Sequence, residues 1–207
     1  MPNWVFSQYN IEGSKEELDV LEKNIEEAEK MINPDVDFDF WFGYLIVQTG
    51  LCTLDEVVHS PNPRYRGAVE YWERMTDNQL QIGACSAHIP MHEPVIHLVK
   101  KFAPHAGIFY YSEEPNVGLY EKDNPDIEDY LLDIRDKDRV PVEIKEIDTN
   151  YFFDEEMKDL LQEIFSSNEE NTDFLVERFN KEFAPAAYIY KYETVPLDYE
   201  PIKGETR

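Results

Sequence analysis

Residues Trp4 to Ile11 alternate apolar or aromatic side chains with polar ones and run into Gly13, the period-two pattern of a strand closed by a turn. Ser14 followed by Glu17 is a capping-box pair. Leu18, Leu21, Ile25, Ala28 and Ile32 then recur at three- and four-residue steps until Asn33-Pro34, which predicts an amphipathic helix. Residues 38–47 are almost continuously apolar and are read as a buried strand, with a short helix as the alternative because an unbroken run hides its own period. A short helix at Thr53–Val58, a proline-rich turn at 60–63 and an amphipathic segment from Tyr65 to Met75 follow. Gln79–Ala87 reads as a strand. Pro90 and Pro94 open a helix whose stripe, Val95, Leu98, Val99 and Phe102, must stop at Pro104, and Ile108–Tyr111 is the next strand, with 117–121 as a hairpin partner.

Residues 122–139 are crowded with charge around Tyr130, Leu131 and Leu132, so they are read as a short exposed helix or a solvated connection and as a soft boundary. Beyond it the pattern predicts a strand at Val140–Ile147, helices at 154–165 and 172–183, a strand at 186–195 and a frayed tail. The expected organisation is therefore a domain over 1–121, a second α+β element over 122–195 and a tail over 196–207. Through residue 113 the order is strand, helix, strand, strand, helix, strand. The fold expected is α+β: a ferredoxin-like βαββαβ antiparallel sheet with helices on one face, plus a C-terminal βααβ elaboration. The chain also resembles itself. Val95, Lys100, Phe102, Ala103, Pro104, Ala106, Ile108, Tyr111 and Pro115 recur 81 positions later as Val176, Lys181, Phe183, Ala184, Pro185, Ala187, Ile189, Tyr192 and Pro196, a helix stopped by proline and returned as an aromatic strand.

Composition adds one strong feature. The 207 residues carry 44 carboxylates against 19 Lys plus Arg, a net charge of −25, while 42% hydrophobic and 14% aromatic content leaves ample material for a core. The acid is polarised: residues 1–39 hold 11 carboxylates and 3 bases, 40–111 hold 6 and 5, and 112–207 hold 27 and 11. Such a chain repels nucleic acid and anionic lipid, so neither direct nucleic-acid binding nor membrane binding is expected. With no signal-like start and only Cys52 and Cys85, free thiols and a cytoplasmic location are the expectation.

The opening Met1-Pro2-Asn3-Trp4 running into a strand, and the block Leu80 to Pro90 leading through a helix to Phe102 and the aromatic strand at 108–111, resemble the YubB ferredoxin-like family, small proteins encoded on plasmids, phages and other mobile elements. The resemblance covers residues 1–15 and about 71–121, and implies the fold and a mobile-element origin. It brings no catalytic or ligand residues with it.

Candidate chemistry is sparse. Cys85, His88, His92 and His97 form the one metal-like group, the alternative reading being a small metal-binding protein or enzyme, but Pro90 and Pro94 interrupt their spacing. Phosphate-loop, dinucleotide, hydrolase-elbow and zinc-protease motifs are absent, and no cofactor is implied. The aromatic strands at Phe109, Tyr110, Tyr111 and at Tyr188, Tyr190, Tyr192 are similar to RNA-stacking sheets, yet they end in Ser112, Glu113, Glu114 and Glu193 where such sheets carry bases. What remains is the acid. Glu16, Asp19, Glu22, Glu26 and Glu29 on the first helix, and Asp154, Glu155, Glu156, Asp159 and Glu163 on a C-terminal helix, are candidate partner-binding residues. The expected activity is non-enzymatic: occupation of a basic, nucleic-acid-binding surface of a host protein, as a nucleic-acid mimic or defence inhibitor.

Overall fold

The computed structural model describes residues 3–36, 38–59, 65–115, 118–123, 128–147 and 151–197. The expected turn at 60–63 and nearly all of the tail lie outside them. The chain divides into two compact units, Met1–Leu119 with Val195–Arg207, and Tyr120–Thr194.

The first unit begins with β1 (Trp4–Glu12), whose odd-numbered residues are buried. Helix α1 (Lys15–Glu29) starts where Glu17 donates its backbone N–H to the Ser14 hydroxyl, and it buries Leu18, Leu21, Ile25 and Ala28 of the expected stripe; Ile32, its last expected member, lies beyond the helix and is exposed. Next come α2 (Phe42–Thr49), α3 (Leu54–Val58), β2 (Gly67–Thr76), β3 (Gln79–Ala87), α4 (Glu93–Phe102) and β4 (Gly107–Glu114). The strands lie in the order β2-β3-β1-β4 and every neighbouring pair is antiparallel. α1, α2 and α4 pack together on the face of Tyr9, Ile11, Leu80 and Ile82 in one core cluster.

Two segments differ from the sequence expectation. The run at 38–47 is not a strand: Phe42 to Ile46 are all buried within α2, so no polar side reveals its helical period, and Gly50 closes it in the left-handed region at φ 75°. The second strand is instead Gly67–Thr76. A β-bulge between Val69 and Tyr71 places Val69 and Trp72, three residues apart, opposite the inward-facing Ala84 and Ile82, which imitates helical spacing in sequence.

The second unit contains most of β5 (Leu119–Lys122), then β6 (Tyr130–Ile134), β7 (Tyr151–Phe152), α5 (Asp154–Phe165), α6 (Thr172–Phe183), β8 (Ala187–Lys191) and β9 (Glu193–Thr194). β7-β6-β8 is an antiparallel sheet, and β5 pairs with β9 in parallel. Its core is separate: Tyr130, Leu132, Met157, Leu161, Leu175, Phe179 and Ile189. The expected strand at Val140–Ile147 is replaced by a short 3-10 turn, Val142–Ile144, after Pro141, whose ring nitrogen cannot donate to a ladder. The strand lies instead at Tyr130–Ile134, within the segment read as an exposed helix or connection. The internal repeat corresponds to α4–β4 and α6–β8, one copy in each unit; both helices end at an alanine, Ala103 and Ala184, whose N–H donates four residues back. No helix among the described residues is long and apolar enough to cross a membrane.

Candidate functional site

On α1 all five candidate carboxylates lie on or beside the solvent face, but they are not equivalent. Arg74, reaching from β2, takes Asp19 at 3.4 Å and Glu22 at 3.6 Å, and donates to the carbonyls of Thr76 and Asp77. The indole of Trp72 donates to Glu29 at 3.4 Å, and Lys30 approaches Glu26 at 3.9 Å. Glu16 is exposed and has no ion pair among the described residues. The last turn of α1 carries Glu26, Glu27 and Glu29 and no base, so acid stands where the helix dipole disfavours it.

On α5 the arrangement is the reverse. Asp154, Glu155 and Glu156 occupy the first turn, where the dipole favours them. Glu156 accepts from the backbone of Phe153, and Glu155 pairs with Lys158 at 2.8 Å. Asp154 belongs to an internal network. The buried Tyr130 hydroxyl donates toward Asp154 at 3.2 Å and Asp173 at 3.1 Å, Thr172 donates to Asp154, and Lys191 donates to Asp173 at 2.6 Å. Asp129 accepts from the Asp154 backbone and from the buried Lys122. Burial, then Asp173 and Asp154, push the Tyr130 phenol well above its usual range, and the Lys191 hydrogen bond holds Asp173 below its own. The phenol stays protonated and donates: it fastens the starts of α5 and α6 to β6. Asp159 and Glu163 remain exposed without an ion pair among the described residues.

Cys85, His88, His92 and His97 are not brought together. Among the described residues no group of three or more His, Cys, Asp or Glu side chains is placed to hold a metal ion. Cys85 stands on the side of the sheet away from the helices, where burial and then Glu70 push its thiol up to about 11, so no thiolate forms at neutral pH. His88 is exposed with φ 74° at the end of β3. His97 is buried on α4, 3.6 Å from Glu93.

His92 lies at the start of α4, its Nδ1 sharing a 2.9 Å hydrogen bond with Tyr9 and its ring 4.2 Å from that of Tyr110. Burial depresses its pKa to about 4. An unfolded chain binds this proton from pH 6.5 downward and the folded one does not, so the stabilisation is whole above 6.5 and is lost as the pH falls toward 4, on the order of 3 kcal/mol. Denaturant titrations should show the protein losing about 2 to 3 kcal/mol more than its His92→Gln variant between about pH 7 and about pH 4.5. Equal losses would contradict this placement of His92.

On the side of the first sheet away from the helices, the sequence singled out Phe109, Tyr111 and Cys85 but not the residues of β1 and β2 that join them. Phe6, Gln8 and Asn10 of β1 share it with Gln81 of β3, Tyr71 and Glu73 of β2, and Phe109, Tyr111 and Glu113 of β4, as the strand registers require. The Gln8 side-chain oxygen accepts from Tyr71 at 2.8 Å and from Tyr111 at 3.1 Å, and Gln81 donates to Asn10 at 3.1 Å. The signal was the alternation itself: Tyr110 points inward to His92, and its two neighbours point the other way. No family model, curated protein or solved structure matches this chain.

Proposed function

We propose that the protein is a non-enzymatic acidic binding module that engages a basic, nucleic-acid-binding surface of a host protein. The observation that carries this reading is α1. Its last turn concentrates carboxylates against the helix dipole, offset only by exposed i,i+4 pairs with Lys23 and Lys30 and long hydrogen bonds, while its inward stripe is fully buried and holds them in fixed positions. A net charge of −25 supplies the long-range attraction.

The first unit's strand order, β2-β3-β1-β4, in which each helical connection passes over one intervening strand, is what leads us to read it as a ferredoxin-like βαββαβ sheet, the fold that the resemblance to the YubB ferredoxin-like family implies. The second unit, with a strand, two helices and a returning strand, is read as the C-terminal elaboration. A mobile-element origin, and action as a nucleic-acid mimic or defence inhibitor, rest on that resemblance together with the charge.

The carboxylates to test are those without strong partners inside the fold. Substituting Glu16, Glu26, Asp159 and Glu163 with Gln should weaken capture of a basic partner from host lysate by at least about tenfold, and raising salt from about 50 to about 200 mM should do the same to the parent protein. Capture insensitive to both changes would overturn the reading.

A further inference from the structure

On the side of the first sheet away from its helices, the Tyr71 ring must lie flat. Tyr71 belongs to β2, two strands from β1, yet its hydroxyl reaches Gln8 of β1 at 2.8 Å. The intervening residue of β3 is Gly83, directly opposite both Tyr71 and Gln8. A Cβ on Gly83 would stand 2.0 Å from a carbon of the Tyr71 ring, so the ring occupies the space that the glycine leaves. One face of the ring rests on the strand; the other is turned away from the sheet, and the residue is 39% exposed.

Tyr111 is set opposite Gln8 from the other flank and is bound to the same side-chain oxygen, with the Phe6 ring 6.3 Å from it. None of these rings belongs to either hydrophobic core. Two residues beyond each tyrosine, on the same face, stands a carboxylate: Glu73 after Tyr71 and Glu113 after Tyr111. The four strands contain a single base among these described residues, Arg74, and its guanidinium is turned to the opposite side against Asp19 and Glu22.

Aromatic faces fixed by hydrogen bonds, with the exposed Glu73 carboxylate two residues from the Tyr71 ring, match one side chain best. A guanidinium stacks its plane on a tyrosine ring while its edge donates to a neighbouring carboxylate, and it is more weakly hydrated than an ammonium. We infer that this sheet face is a docking surface for an arginine-rich segment of a partner protein, with Tyr71 as the stacking platform and Glu73 as the ion-pairing group. Charge complementarity selects the occupant. The inference rests on the proposed basic partner, and it adds a contact on the sheet to the attraction supplied by the carboxylates of α1 and α5.

The test uses the full chain and an oligo-arginine peptide of about eight residues, with oligo-lysine of equal length as comparison, by calorimetric titration at low salt. Oligo-arginine should bind at least about fivefold tighter than oligo-lysine, and Tyr71→Leu, which still covers Gly83 but has no π face, should weaken it about tenfold. Glu73→Gln should weaken it about fivefold, whereas Tyr71→Phe, which keeps the ring, should stay within about threefold of the parent. Absence of oligo-arginine binding, equal affinity for the two peptides, or indifference to Tyr71→Leu and Glu73→Gln would overturn the inference. If affinity falls only on substitution of Glu16, Glu26, Asp159 and Glu163, the helix-borne field stands and the sheet surface does not.

Discussion

Replacing Leu21 with alanine is expected to destabilise the first unit by about 3 to 4 kcal/mol. Leu21 is fully buried at the centre of the α1 stripe, between Leu18 and Ile25. The transfer free energy of the lost carbons is only part of the effect, because β1 and the neighbouring helices leave a cavity that relaxes incompletely. α1 has little intrinsic reserve against this loss. Glu22 and Glu26 repel one another one turn apart, and the i,i+4 pairs Lys15–Asp19, Lys23–Glu27 and Glu26–Lys30 are exposed and add only a few tenths of a kcal/mol each, about 0.3 to 0.5. Tertiary burial therefore holds the helix, and with it the carboxylates that it displays. Trp4, Trp41 and Trp72 all lie in the first unit, so tryptophan fluorescence in denaturant reports this unit selectively. A shift in midpoint worth under about 1 kcal/mol would show that packing on α1 is looser than described.

Gly67→Ala is expected to cost about 3 kcal/mol or more, for a different reason. A Cβ at Gly67 would meet the backbone oxygen of Cys85 at 2.5 Å and the Phe42 ring at 2.7 Å. A flexible side-chain tip could swing aside, but the carbonyl belongs to the β2–β3 ladder and the Phe42 ring is wedged in the core. The strand must separate locally or α2 must lift. The far-ultraviolet circular dichroism should retain most of its amplitude while the tryptophan-reported midpoint falls; an unchanged midpoint would contradict the close approach of β2 to α2.

The sequence announces those elements whose two sides differ. β1, α1 and β4 each bury one side more deeply than the other, so alternation or helical spacing identifies them, whereas α4, buried continuously from Pro94 to Val99, is announced by the prolines that bracket it. α2 is enclosed on nearly all sides and loses its period, whereas β2 has a period disturbed by the extra residue of its bulge. β6 was obscured by charge: Tyr130 and Leu132 point inward with Leu131 between them, too brief a signal amid acidic neighbours. The acidic positions of α1 were legible as a helix face, but their partners were not, since Arg74 and Trp72 are brought to Asp19, Glu22 and Glu29 only by the pairing of distant strands. The same holds for Asp154, which looks like surface acid in sequence and serves in the structure as an acceptor for Tyr130 and Thr172. Tyr71 and Tyr111, 40 positions apart, become one feature through a glutamine and a glycine that carry no conspicuous signal of their own.

The central claim is that this protein occupies a surface otherwise taken by nucleic acid, and competition measures it most directly. A partner captured from host lysate at about 50 mM salt should be released by added double-stranded DNA or by single-stranded RNA, and the purified pair should exclude the partner's own nucleic acid in proportion to the concentration of this protein. A partner that holds this protein and its nucleic acid together, each with undiminished affinity, would contradict the account.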